Sequence, residues 1–203
     1  EIIKYLPYTR EVLIRGTYAL CLLYRVYRRI LKKGDITMDN LTYIIGQALG
    51  IVAVILGFVS YQRKTQFGII VSQCVTALTF SAHYFLISAP TAIALNFLSA
   101  VICLYFAFRN KKQGESKAEV IITSVLIAVA GMLVWENIYS VFLIAGLVTS
   151  TVSLSFSNPQ NTRRAMFIKS PLCIIYNIAV TSMGGVIYEC VVIISAIIGL
   201  VKN

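Results

Sequence analysis

The sequence predicts an all-α membrane protein with seven transmembrane helices. They form a 3+1+3 arrangement: two parallel triple-helix bundles joined by a linker helix. Three observations carry this expectation. First, 58% of the 203 residues are apolar and 13% are charged, with a mean hydropathy of +0.81. A soluble domain is typically about 25% charged and about 45–50% apolar. Second, the chain holds seven apolar stretches, each near the roughly 20 residues that a helix needs to cross a hydrocarbon core. Third, the third and seventh stretches can be laid on one another without a gap. The composition argues against intrinsic disorder, a disulfide scaffold and an ordinary soluble enzyme.

The stretches run in order as Leu41–Ser60, Phe67–Ser88, Pro90–Phe108, the short Val120–Trp135, Ile138–Ser157, Ala165–Met183 and Gly184–Val201. Backbone in lipid must satisfy its own hydrogen bonds, so each stretch is expected to be helical. Barrel strands would show alternating segments of about ten residues, and these stretches do not alternate.

Basic residues fix an orientation, because they collect in cytoplasmic loops. Arg63 and Lys64 follow the first stretch, and Arg109, Lys111, Lys112 and Lys117 follow the third. Arg163 and Arg164 follow the fifth, and Lys202 follows the seventh. The loops around Ala89, Glu136 and Gly184 hold no Lys or Arg. Those three loops are therefore expected outside, with the N-terminus from Met38 outside and the C-terminus cytoplasmic, in a bacterial inner membrane. Trp135 and Tyr139 suit the outer interface. Lys169 lies just inside the sixth stretch and is expected to snorkel to the inner surface.

Residues 1–37 contradict this pattern, since they carry eight bases that would lie outside. Reverse translation offers an account. Lys33-Gly34-Asp35 can be encoded by a ribosome-binding sequence a few bases before the codon for Met38, so translation is expected to start at Met38. The alternative is a basic amphipathic helix lying on the inner surface, with a different topology. The expected organisation is then a basic segment at 1–37, a first triple-helix unit at 38–110, a linker loop and helix at 111–136, and a second unit at 137–203.

The repeat behind the two units pairs His83 with Tyr176, Tyr84 with Asn177, Asn96 with Glu189, and Arg109-Asn110 with Lys202-Asn203. Upstream, Tyr61-Gln62 after the first helix is matched to Pro159-Gln160 at the end of the fifth. Three helices reverse the chain's direction in the membrane, so a linker helix is needed for two such units to lie parallel.

The runs Ile44–Gln66 (IIGQALGIVAVILGFVSYQRKTQ), Phe80–Val101 (FSAHYFLISAPTAIALNFLSAV) and Lys169–Glu189 (KSPLCIIYNIAVTSMGGVIYE) resemble the YgjV-type bacterial inner-membrane proteins. The resemblance covers Met38 to the end and departs at Cys173, where an aromatic is expected. That family is functionally uncharacterised, so the resemblance implies location and topology and no activity. More distantly, the 3+1+3 plan with Pro159-Gln160 is similar to the PQ-loop/SWEET superfamily, which includes solute transporters. That similarity implies a hinge at Pro159 and Gln160. The first half has Tyr61-Gln62 in place of Pro-Gln.

Polar groups in hydrocarbon are costly and usually face a bundle interior or a cavity. The candidate solute-binding residues are Asn96, Glu189, Asn177, Gln73, His83, Tyr84 and Tyr176. Asn96 and Glu189 lead, because they occupy matching positions in the two units and could face a pocket at the midplane. Glu189 would be a partner for a cation or proton. The competing reading is that these groups only hydrogen-bond neighbouring helices. His83, the sole histidine, reads more simply as a hydrogen-bonded side chain than as a metal ligand, since no other ligand has suitable spacing. Gly46 and Gly50 form a GxxxG, which permits close helix approach within a unit or in a homo-oligomer. Arg63, Lys64, Arg163 and Arg164 read as topology anchors.

No metal, cofactor or nucleic-acid motif is present. The five cysteines show no CxxC. The net charge of +10 sits in short clusters at helix ends rather than on one polar face. There is no Ser/His/Asp set, HExxH or Walker A, so an enzyme is not expected. The leading functional expectation is a transporter-like carrier of a small polar solute working by alternating access. The alternative is a non-transporting membrane subunit or adaptor, motivated by the lack of an evident ion-pair network. The expected partners are the lipid bilayer, a small polar solute and further copies of the chain in a homo-oligomer.

Overall fold

The computed structural model describes residues 40–110 and 117–202. The basic segment at 1–37 and the loop residues Lys111 and Lys112 lie outside the described residues. The described residues form seven helices and no strand: α1 Asn40–Tyr61, α2 Gln66–Leu86, α3 Pro90–Asn110, α4 Lys117–Leu133, α5 Ser140–Leu154, α6 Pro159–Ala179 and α7 Met183–Lys202.

Four of them (α1, α2, α3 and α7) are long and apolar enough to cross a membrane by length and composition alone. The other three differ from the expectation for physical reasons. α4 has 17 residues and α5 has 15. At about 1.5 Å per residue they reach only about 25 Å and 22 Å, against a hydrocarbon core of about 30 Å. α6 has 21 residues but begins six residues before the expected stretch, and so takes Arg163 and Arg164 into its first turns. Asn158 caps it, accepting from the Gln160 amide at 2.9 Å, and Pro159 occupies the first helical position, where a missing N–H costs nothing. Pro159 and Gln160 therefore open α6 rather than close α5.

The α2–α3 and α6–α7 hairpins match in detail at the separation of 93 residues that also relates Tyr84 to Asn177. Thr65 caps α2, accepting from the Gly68 amide at 3.1 Å, as Asn158 caps α6. α2 and α6 end at Leu86 and Ala179. Ser88 and Thr181 then take left-handed φ values of 57° and 54°, a region costly for side chains other than glycine. The same turn bond follows, Ala89 N to Tyr84 O at 3.0 Å and Ser182 N to Asn177 O at 2.9 Å. At this separation Pro159-Gln160 falls opposite Gln66-Phe67, not opposite Tyr61-Gln62.

The helices pack in a closed sequence of neighbours: α1 on α2, α2 on α3, α3 on α5, α5 on α6, α6 on α7, and α7 back on α1. α4 lies outside this ring against α3 and α5. The ring closes through glycines. A Cβ added at Gly50 would stand 3.0 Å from the Gly184 Cα, and one at Gly184 would stand 2.8 Å from the Gly50 Cα. The GxxxG of α1 is thus spent on contacts inside the chain, Gly46 on the end of α2 and Gly50 on α7. α1 and α4 turn large apolar side chains outward, among them Ile44, Ile55, Ile121 and Met132. Leu95, Leu98, Phe106, Ile127 and Val192 are buried.

Candidate functional site

Within the ring lies a partly open cavity of about 50 Å³ between α2, α3, α5, α6 and α7. Its polar wall comprises Gln73, Thr76 and Tyr84 of α2, Asn96 and Ser99 of α3, Ser150 and Thr151 of α5, Lys169 and Asn177 of α6, and Tyr188 and Glu189 of α7. Among the lining residues, Lys169 is the only strong base and Glu189 the only carboxylic acid.

These two residues form an ion pair, Lys169 Nζ to Glu189 Oε1 at 2.6 Å, with both side chains almost completely buried. This corrects the expectation that Lys169 snorkels. Lys169 stands at the middle of the 21-residue α6, about 15 Å from either end at 1.5 Å per residue, too far for its side chain to reach an interface. Its ammonium also lies 5.1 Å from the centre of the Tyr188 ring. The pair also supplies the interior ion pair whose lack motivated the adaptor alternative. Glu189 Oε2 is buried and meets no N–H or O–H donor, only the weakly donating Cys173 thiol lying beside the carboxylate, and Ser99 Oγ on the wall contributed by α3 has no partner.

Five of the seven candidate solute-binding residues line this cavity: Asn96, Glu189, Asn177, Gln73 and Tyr84. Asn96 donates to the Ala92 carbonyl of its own helix at 2.9 Å, and Gln73 donates to Ser60 Oγ at 2.9 Å. His83 and Tyr176 are not on the wall. His83 is fully buried, with Nδ1 at 2.6 Å from the Gly46 carbonyl and Nε2 at 2.7 Å from Ser182 Oγ. A carbonyl only accepts, so Nδ1 carries the proton and Nε2 accepts from the Ser182 hydroxyl. Tyr176 instead donates to Glu136 Oε2 at 3.4 Å.

Hydrogen bonds cross the bundle at both ends of the cavity. At the Ser88/Thr181 end, Tyr84 Oη donates to Asn177 Oδ1 at 2.5 Å. There the two repeat-related side chains meet each other across the bundle. Phe80 stacks on Tyr84 and meets Tyr188 edge-on. Nearby, Gln47 donates to the Thr181 carbonyl and accepts from the Gly184 amide at 3.1 Å.

At the opposite end, Thr162 Oγ1 donates to the Ser153 carbonyl at 2.8 Å and lies 3.1 Å from Gln66 Oε1. Tyr61 Oη donates to Met166 Sδ at 2.8 Å. Arg163, read from the sequence as a surface anchor, is 1% exposed. Its guanidinium donates to the Tyr61 carbonyl at 3.1 Å, the Arg63 carbonyl at 2.8 Å and Gln160 Oε1 at 3.0 Å. It therefore ties the start of α6 to the α1–α2 connection. Also at this end, Arg109 pairs with Glu119 between α3 and α4.

Sequence reasoning missed Lys169, Ser99 and Tyr188 as wall residues. The available signal was a lysine at mid-helix, obscured because α6 was expected to start later. Cys173, where the resemblance calls for an aromatic, is also on the wall, and its small thiol leaves the cavity room. Among the described residues no group of three or more His, Cys, Asp or Glu side chains gathers.

The sequence model of the Imp-YgjV family, bacterial inner membrane proteins, matches residues 44–203. The match spans most of the chain, including every helix that lines the cavity, and the chain belongs to this family. No significant match was found among curated proteins or among solved structures.

Proposed function

We propose that this inner-membrane protein is a carrier of a small polar solute, working by alternating access around the central cavity. The observation that carries the proposal is the buried Lys169–Glu189 pair beside an internal cavity, with one carboxylate oxygen meeting no N–H or O–H donor. Burying an ion pair is at best neutral for stability compared with apolar residues of similar volume. Leaving one of its oxygens without such a donor is a further cost. Such an arrangement is better explained by something that binds there. The competing reading, a non-transporting subunit or adaptor, was motivated by the lack of an evident ion-pair network.

In this proposal all seven helices cross the membrane. Residues 38–110 and 137–203 act as triple-helix units joined by the segment 111–136. The short α4 and α5 are accommodated by local thinning of the bilayer. The matched α2–α3 and α6–α7 hairpins support two related units. In the ring, the α3·α5 and α7·α1 contacts are the ones a two-fold relation would exchange. Tyr84–Asn177 on one side and the Thr162–Gln66–Ser153 cluster on the other are the contacts that would open and close in turn. Pro159 and Gln160, beside Arg163, are the pivot of the second unit.

Arg63, Lys64, Lys117, Arg164 and Lys202 all flank helix ends at the Arg163 side, which becomes the cytoplasmic side by the distribution of positive charge. A cysteine at Trp135 should react with an impermeant maleimide added to intact cells, and one at Lys117 should not. The reverse pattern refutes the orientation.

Transport is tested in proteoliposomes against a broad library of small polar solutes. Accumulation of at least one solute is expected, and failure of every solute to bind or move refutes the carrier reading. Glu189→Gln should abolish uptake; unchanged uptake removes this residue from the mechanism.

A further inference from the structure

The cavity also constrains the charge of what enters it. We propose that the solute is a small zwitterion, with an ammonium bound by Glu189 Oε2 and a carboxylate bound by Lys169. This deepens the carrier reading and rests on it.

The argument starts from the wall. Its one base and one carboxylic acid are paired with each other, so the lining carries no net charge among the described residues. A cation entering this space would meet Glu189 but also the Lys169 ammonium 2.6 Å from it. An anion would meet Lys169 with the Glu189 carboxylate beside it. In a low-dielectric interior both encounters include a like-charge repulsion that screening does not remove. A solute that carries both signs close together has favourable contacts with both members of the pair.

The hydrogen-bond inventory agrees. Glu189 Oε2 is an ionic acceptor lacking an N–H or O–H donor, and charge-assisted bonds are the strongest available to it. An ammonium has three donors, and Lys169 uses one on Glu189 Oε1. Ser99 Oγ, unpartnered on the α3 wall, supplies a further polar contact. Size sets the remaining limit. A water needs about 10–15 Å³ of such volume, so about 50 Å³ holds about four water-sized groups. That suits a zwitterion on the scale of glycine, with the ring of Phe80 and the side chains of Leu143 and Leu147 excluding long side chains.

The test is calorimetric titration of the full chain in nanodiscs, at matched ionic strength, with glycine, its two charged halves methylamine and acetate, and glycerol as a neutral solute. Glycine should bind, and methylamine and acetate should each bind about tenfold more weakly or worse. The double substitution Lys169→Gln with Glu189→Gln removes both charges together, leaves neither unpaired, and should abolish glycine binding. Methylamine binding as tightly as glycine overturns the proposal in favour of a cation site. Glycerol binding without glycine overturns it in favour of a neutral solute while leaving the carrier reading intact. Absence of glycine binding to the wild-type protein, with ordered water alone satisfying Glu189, also overturns it. Flux in proteoliposomes is scored separately, so loss of the zwitterion and loss of the carrier are distinguishable.

Discussion

The Lys169–Glu189 pair makes a quantitative prediction about stability. Replacing Lys169 by Met leaves the Glu189 carboxylate buried with only the weakly donating Cys173 thiol beside it. Replacing Glu189 by Leu strands the lysine ammonium against the Tyr188 ring alone. Breaking one side of a buried pair typically costs about 3–5 kcal/mol, whereas replacing both partners by apolar groups is often neutral or stabilising. Each single variant should therefore lose about 3 kcal/mol or more, Lys169→Met the larger amount. The double variant should return to within about 1 kcal/mol of the parent. The resulting coupling of about 5 kcal/mol or more lies above what contacting residues usually show. Unfolding by denaturing detergent in mixed micelles measures it, with Trp135, the single tryptophan, as the fluorescent probe beside far-ultraviolet circular dichroism. Additive costs in the cycle, or single variants within about 0.5 kcal/mol of the parent, would refute the reasoning, since they would mean that the two charges do not depend on one another.

Other positions give independent tests. Arg163→Met orphans the Tyr61 and Arg63 carbonyls and should cost about 2–4 kcal/mol, while the exposed neighbour Arg164→Met should be nearly silent; equal effects would contradict the buried tether. Gly50→Val pushes α1 off α7 and should cost about 1–3 kcal/mol by overpacking, against little change for Ala48→Val on the outward face, both read from unfolding midpoints. Glu136 lies in the α4–α5 connection, where partial burial pushes its pKa above the usual carboxylate range, opposed by bonds from Thr91 and Tyr176. A carboxyl raised in the folded state binds more protons there than when unfolded. Its contribution to stability is full below the unfolded carboxylate pKa and is lost as pH rises through the folded value. A pH titration of stability should show that decline, and Glu136→Gln should flatten it.

Much of the fold was legible because apolar runs broken by Pro, Ser and basic residues mark helix ends. α2, α3 and α7 lie within two residues of the stretches read from sequence. α6 was less legible, since its first turns carry Arg163 and Arg164, which read as loop residues. Only the packing shows that one of them is buried under three acceptors. That displaced start made Lys169 look terminal and hid its pairing with Glu189, a contact between helices that spacing along the chain cannot reveal. The repeat did expose Asn96 and Glu189 together. The two candidates that face away, His83 and Tyr176, are sequence neighbours of two that face in, Tyr84 and Asn177. Adjacent residues on a helix diverge by about 100°, and in each of these two pairs one member lines the cavity while the other packs outside it. Sequence alone did not say which member would.

The salt link between α6 and α7 also has an electrical meaning. Its opposite charges are fixed on neighbouring helices and cancel, so the heart of the bundle is a dipole rather than a monopole. A transmembrane voltage exerts work of about 2.3 kcal/mol per elementary charge per 100 mV, but only on charge that is displaced. If these helices rock as proposed with the link intact, the pair itself moves no net charge across the field. A transmembrane voltage would then do little work on this pair in the empty protein.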